Sequence, residues 1–203
     1  MLDLIFDTET TKFINWKLPL DHPDQPQLMQ LGLRIVKADE LVLEWDHFVV
    51  CTQDPAPGAF KKHGITREMT EEAGLRLVNV IEFFEQRLHD VERTVCHNSA
   101  FDIKVMLCAY AQANRILGEV RFDPTSFLQK PNICTMQSST DLLKLAGKYP
   151  GQWKWPTLQE AYRALVDPEG FENAHSAAAD CAATHGVLCA LIERGVELKG
   201  AGQ

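Results

Sequence analysis

Three short acidic clusters carry the residues able to do chemistry, and their spacing limits what that chemistry can be. Asp7 and Glu9 lie two apart in Phe6-Asp7-Thr8-Glu9-Thr10-Thr11. At the end of an extended strand this spacing puts both carboxylates on one face. Two such groups repel each other unless a positive charge lies between them, and a hard divalent cation with oxygen ligands meets that need. Taken alone, the same residues also read as a strand ending in a polar turn. The second cluster is His97-Asn98-Ser99-Ala100-Phe101-Asp102. It falls where a strand gives way to a helix, and Ser99 with Asp102 also fits a capping box there. The third is His175-Ser176-Ala177-Ala178-Ala179-Asp180. Five helical residues turn through about 500°, so on one continuous helix His175 and Asp180 would not share a face. They converge only if His175 lies in the loop before the helix, with Asp180 in its second turn. Asn173 or Ser176 suits such a helix start. The three alanines would let the turn pack closely. Taken singly, a surface histidine and a solvated aspartate also account for this cluster.

Together the clusters say more. Each sits at a strand end or helix start, where open α/β sheets place their sites. Each supplies hard oxygen ligands, and one adds a histidine able to titrate near neutral pH.

The elements that must position these groups follow from the apolar pattern. Residues 2–8 read as a buried strand. Leu28–Val36 and Leu41–Val50 read as a hairpin joined by Lys37-Ala38-Asp39-Glu40. The stretch with Pro19, Pro23 and Pro26 reads as a loop, and Pro55, Pro57 and Gly58 end the third strand. Helical rhythm appears over residues 75–90, 100–116, 137–146, 158–166 and 176–194. Short strands are expected at Thr94–His97 and Asn132–Thr135, with 117–131 irregular. Early strands followed by alternating helices and strands imply an α/β fold with a mixed sheet. One domain over residues 1–196 is expected, with a frayed tail from 197 to 203.

With 203 residues, 45% hydrophobic and 24% charged, the chain has the composition of a globular protein with a substantial core. No apolar run reaches membrane-spanning length and no leader pattern opens the chain, so no membrane association and an intracellular setting are expected. None of the six cysteines forms a C-x-x-C pair, and several sit in apolar stretches, which fits reduced buried thiols. The net charge of −8 argues against a protein that coats long duplex. Two divalent cations among the site carboxylates would halve it. The acidity is compatible with a small contact area near a strand end.

The motifs FDTETT, HNSAFD and HSAAAD resemble those of the DEDDh exonucleases, the DnaQ-like family. That family includes the proofreading subunit of bacterial DNA polymerase III, ribonuclease T and oligoribonuclease. The resemblance runs from about Leu4 to Leu191. It takes in His63-Gly64-Ile65-Thr66, Ile133-Cys134-Thr135-Met136 and Lys154-Trp155-Pro156-Thr157-Leu158, and is greatest toward free-standing bacterial and phage exonucleases. It implies a ribonuclease-H-like fold, with a mixed five-stranded sheet flanked by helices. It implies 3′→5′ hydrolysis with two Mg²⁺ or Mn²⁺ ions and release of nucleoside 5′-monophosphates. Asp7 would bridge both ions, Glu9 and Asp180 would hold the ion that binds the attacking water, and Asp102 would support the second. His175 would be the general base. Three positions depart from the family: Lys12 where glycine is frequent, Gln30 for a glutamate, and Ser99 for an alanine. None removes a ligand, and all lie near where the terminal nucleotide would sit.

For the substrate, the backbone groups of Thr8, Glu9 and Thr10, together with His63 and Asn98, are candidates to contact the terminal sugar. Phe101, Leu28 and Met29 are candidates for a base shelf, although apolar residues there also read as core. His63 equally reads as a loop residue capping a short helix. Lys61, Lys62 and Arg67 are candidate phosphate contacts. Trp153 and Trp155 read either as stacking residues or as anchors for a helix that opens at the Thr157-x-x-Glu160 capping box. Single-stranded DNA with a free 3′ end is the favoured substrate, with RNA as the alternative. A non-catalytic nucleic-acid-binding module or a polymerase-associated partner is a different class, against which the complete acidic set argues.

Overall fold

The computed structural model describes residues 1–200. At its centre lies β1 (Leu2–Thr10), antiparallel to β2 (Leu28–Lys37) on one side and parallel to β4 (Arg93–Cys96) on the other. With β3 (Glu40–Phe48) and β5 (Asn132–Cys134) at the edges, the sheet order is β3-β2-β1-β4-β5. This is the mixed five-stranded sheet expected from the sequence.

The period-two alternation of β1 sorts its side chains between two cores. Leu4 and Phe6 face one side, in a cluster with Leu31, Leu33, Phe84 and Met106. The helices on that side are α3 (Leu77–Asp90), α4 (Ser99–Leu117) and the short α5 (Thr125–Gln129). Phe6, Phe84 and Phe127 meet edge to face there, with centroids 5.3–5.9 Å apart. Ile5 faces the other side, with Val36, Val95, Ile133, Cys181 and Leu188. The helix covering that face is α8 (Ala177–Glu193), backed by α7 (Leu158–Leu165) and α6 (Thr135–Leu143). On this face Asp3 accepts a two-pronged bond from Arg93, at 2.6 and 2.8 Å.

Three helices went unread in the sequence: α5, inside the stretch 117–131 expected to be irregular, and α1 (Pro57–His63) and α2 (Arg67–Ala73). No residue of α1 is buried and only Thr70 is in α2, so neither shows an apolar rhythm. Their ends carry the signals instead: Pro57 in the first turn and left-handed Gly64 (φ 67°) for α1, and the Thr66 cap on Met69 N–H for α2.

The tail does not fray at residue 197. Leu198 packs into the α7–α8 core. The Lys199 carbonyl accepts from the Cys134 amide at 2.7 Å, and its own N–H donates to Ser138 Oγ at 2.9 Å. These bonds occupy polar groups at the β5–α6 junction. Residues 201–203 of the expected tail lie outside the described residues. All six cysteines are free thiols, five of them buried.

Candidate active site

Asp7 and Glu9 continue the row begun by Asp3 and Ile5, so they share the α8 face, as their spacing requires. Between Glu9 and Thr10 the pairing with β2 shifts by a bulge. The chain then leaves the sheet, bonded through Thr11 N–H to Gln27 O at 3.0 Å.

Asp102 does not complete a capping box. The N-cap of α4 is Asn98 in a left-handed conformation (φ 69°), and Ser99 instead donates its hydroxyl to Ile133 O at 3.0 Å. That frees the buried Asp102 to reach across to β1. Its Oδ1 accepts from the Thr8 hydroxyl (2.8 Å) and the Thr8 amide (3.2 Å).

His175 lies in the loop before α8, at φ 71°, with Ser176 as N-cap. Asp180 is in the first turn, one turn earlier than anticipated, and is buried. The His175 amide points at both its carboxylate oxygens, at 3.3 and 3.4 Å. The alanines do allow close packing. Ala177 is fully buried against Gly32, and a Cβ at Gly32 would stand 2.6 Å from the Ala177 carbonyl carbon and oxygen. Gly32 is the β2 partner of Asp7, so this contact seats α8 beside the carboxylates.

All five groups, Asp7, Glu9, Asp102, His175 and Asp180, line one cavity of about 340 Å³. Glu9, His175 and Asp180 bring ligand atoms within 4.8 Å of one another. Crowding and burial raise every carboxylate. Burial lifts Asp7 well above the usual range, helped by Asp102, Asp180 and Glu9. Glu9 is pushed up to about 8, by burial and then by Asp180 and Asp102, with Lys62 opposing. Asp102 rises to about 7 through burial, against the Thr8 hydrogen bonds. Asp180 rises to about 6 through burial, against the His175 amide. Burial, then Lys62, lowers His175, so its ring is neutral near pH 7. A set of oxygen donors this short of positive charge fits hard divalent cations. His175 is near enough to serve as a ligand as well as a base.

The other candidates separate clearly. Thr8, Thr10, His63, Asn98, Phe101 and Lys62 line the cavity. His63 serves both readings: it ends α1, accepts from Ile65 N–H at Nδ1 and contacts Thr10 O through Nε2. Leu28 and Met29 are core residues, not a shelf. They stand beside the bulge, Leu28 in the main core and Met29 packed with Cys51 and Ile65. Arg67 is held by Asp54, Glu68 and Glu71, so its charge is already matched. Lys61 and Trp153 do not reach the cavity, whereas Trp155 does.

Lys12, singled out in the sequence only as a departure from the family, lines the cavity, whereas Phe13 and the wall formed by His97 and Pro156 were missed. Also missed was Asp46 on β3, which adds to the charge felt by Asp7. Gln30 donates to both Asp46 oxygens, at 2.9 and 3.0 Å, and its own oxygen faces the Ala177 amide at 3.4 Å. The departure at Gln30 thus ties β2, β3 and the start of α8 together. A polar residue on an otherwise apolar buried strand was its only signal.

Fold and site together define a ribonuclease-H-like domain of the DEDDh type. Residues 4–188 match the RNase T family of exonucleases, and the chain belongs to that family. Among solved structures it is similar to E. coli exonuclease I in complex with a dT13 oligonucleotide, with TM-score 0.71 and 17% identity over 95% of this chain. It spans only 41% of exonuclease I. A zinc-bound E. coli exonuclease I complex with single-stranded DNA gives TM-score 0.66 and 19% identity, covering 95% of this chain and 41% of that one. Exonuclease X in complex with 5′ overhanging duplex DNA gives TM-score 0.56 and 22% identity, covering 95% of this chain and 92% of the other. No curated protein matches the chain in sequence.

Proposed function

We propose that the protein is a metal-dependent exonuclease that removes nucleoside 5′-monophosphates from the 3′ end of single-stranded DNA. The observation that carries this reading is the convergence of four carboxylates and a neutral histidine in one cavity, where Lys62 is the cation felt by Glu9. Asp7, Glu9 and Asp180 would hold one divalent ion, and Asp7 with Asp102 a second, Mg²⁺ or Mn²⁺. When bound, such ions acidify a water and stabilise a departing 3′ oxygen.

The chain's own residues supply the rest. Thr8 holds the Asp102 carboxylate by two hydrogen bonds, so its free oxygen has a fixed direction. His175 is exposed at the cavity mouth, where its ring can take a proton from the attacking water and pass it to solvent. Thr10, His63 and Asn98 line the cavity in which a terminal sugar would rest. E. coli exonuclease I is seen in complex with dT13 and dA16 oligonucleotides and with single-stranded DNA, which supports the preference for single strands.

The test is a time course on 5′-labelled linear DNA, linear RNA and circular single-stranded DNA, with Mg²⁺, Mn²⁺ or EDTA. A ladder shrinking from the 3′ end, lost with EDTA and absent from the circle, supports the reading. Cutting of the circle overturns it in favour of an endonuclease. Faster loss of RNA than of DNA overturns the substrate preference.

A further inference from the structure

We propose that Trp155 is a stacking platform for a base of the single strand entering the cavity, and that His97 is the positioning residue that holds it there. This rests on the exonuclease reading above. Trp155 lines the same cavity as Asp7, Glu9 and His175, yet it is 63% exposed. A tryptophan that anchored the following helix would bury its indole. Among the described residues, this ring has neither an aromatic nor a cationic partner. The other strongly exposed aromatic in the cavity, Phe13, already has Lys62 Nζ 5.2 Å from its ring centroid.

The backbone under Trp155 is fixed on both sides. Before it, the Lys154 amide donates to Leu145 O at 2.8 Å, and the Lys154 ammonium pairs with Glu160 at 2.6 Å. After it, the buried Pro156 restricts Trp155 itself to extended conformations. Thr157 then opens α7 with a complete capping box. His97 closes the arrangement. A carbonyl can only accept, so the 3.0 Å contact with Pro156 O requires the proton on Nε2. Nδ1 then accepts from the Thr135 hydroxyl at 2.9 Å. Burial lowers His97 to about 4, which keeps this neutral form at working pH.

A large aromatic on a rigid backbone loses little conformational freedom when it stacks. Stacking uses the π-face that every base possesses, so the contact grips single strands without reading their sequence. It also requires the base to leave its duplex neighbours, which gives this residue a part in discriminating frayed ends from paired ones.

The experiment measures affinity for 5′-labelled oligo(dT), with Ca²⁺ replacing the catalytic ions to prevent cleavage. A second series lacks one 3′ base at a time, leaving an abasic sugar. Trp155→Ala should weaken oligo(dT) binding about 5- to 150-fold, the range for losing one stacked base. At one abasic position the wild type should lose affinity and Trp155→Ala should lose no more. Trp155→Phe should restore most of the difference, and Trp153→Ala should behave as wild type. His97→Ala should blunt the same base preference, and His97→Gln, which retains a donor, should recover it. Thermal melting verifies that each His97 variant is folded, while exposed Trp155 tolerates truncation. An undiminished abasic penalty in Trp155→Ala overturns the platform alone. Failure of the wild type to bind any single strand overturns the exonuclease reading with it.

Discussion

Metal binding should release protons, and the structure sets how many. With Glu9 near 8, Asp102 near 7 and Asp180 near 6, the metal-free site at pH 7 holds about 1.5 protons, most of them on Glu9 and Asp102. Asp7, raised further by burial and its neighbours, adds to this. A divalent cation binds carboxylates only in their ionised form, so those protons must leave. Affinity for Mn²⁺ should therefore rise at least about 30-fold per pH unit around pH 7. Calorimetric titration in buffers of differing ionisation enthalpy counts the protons directly. Titrations at pH 6, 7 and 8 give the slope. An affinity that changes less than about threefold per unit would refute the argument, because the carboxylates would then already be ionised in the metal-free protein.

The same groups fix the pH dependence of stability. Folding raises these carboxylates above their unfolded values, so their contribution is fully present below about pH 4. It is lost as pH rises through 6, 7 and 8, the folded values of Asp180, Asp102 and Glu9. Metal-free protein should accordingly melt at a lower temperature at pH 8 than at pH 6. Saturating Mn²⁺ should narrow or reverse the difference.

Asp7→Asn and Asp102→Asn should each abolish cleavage and weaken Mn²⁺ binding while the far-ultraviolet circular dichroism is unchanged. Cleavage of oligonucleotides by Asp7→Asn at the wild-type rate would refute the two-ion assignment. His175→Ala should lower kcat by roughly 10²-fold or more with Mn²⁺ affinity retained. A folded variant that no longer binds Mn²⁺ would instead make His175 a ligand, which its closeness to Glu9 and Asp180 permits. Gly32→Ala should cost about 1–3 kcal/mol in urea denaturation, because the new methyl meets the Ala177 backbone. It should depress kcat as well, since relief of that clash moves α8 and Asp180.

The sequence was legible where a periodic pattern met a burial requirement. β1 alternates between two cores, and α3 presents apolar positions at helical spacing, so both stood out. The site was legible because Asp7 and Glu9 share a strand face and because His175 and Asp180 cannot share a helix face. Features set by partners distant in sequence were not legible. Asp46 lies 39 residues from Asp7, and its role depends on Gln30 crossing between two strands. Ser99 offered a capping box locally, but Ile133 O captured its hydroxyl and Thr8 captured Asp102. Trp155 was ambiguous between platform and anchor, because local sequence cannot tell whether an indole is covered.

The position of the site follows from where helix coverage of the sheet stops. On the α8 face of β1, the row runs Asp3, Ile5, Asp7, Glu9. Cys181 in α8 packs over Ile5, so that position must be apolar. One turn back, the helix begins at Ala177, seated on Gly32 beside Asp7. Beyond that point the row faces the cavity, where Asp7 and Glu9 meet Asp102 and Asp180 rather than the apolar side chains under α8. Burial and the neighbouring carboxylates keep these acids from all ionising together, as the raised values of Glu9 and Asp102 indicate. The remaining deficit of positive charge is what divalent cations would supply. Shifting α8 by one turn in either direction would cover Asp7 with carbon or strip Asp180 from the cluster. The close Gly32–Ala177 contact is therefore what sets where α8, and with it Asp180, stands relative to Asp7.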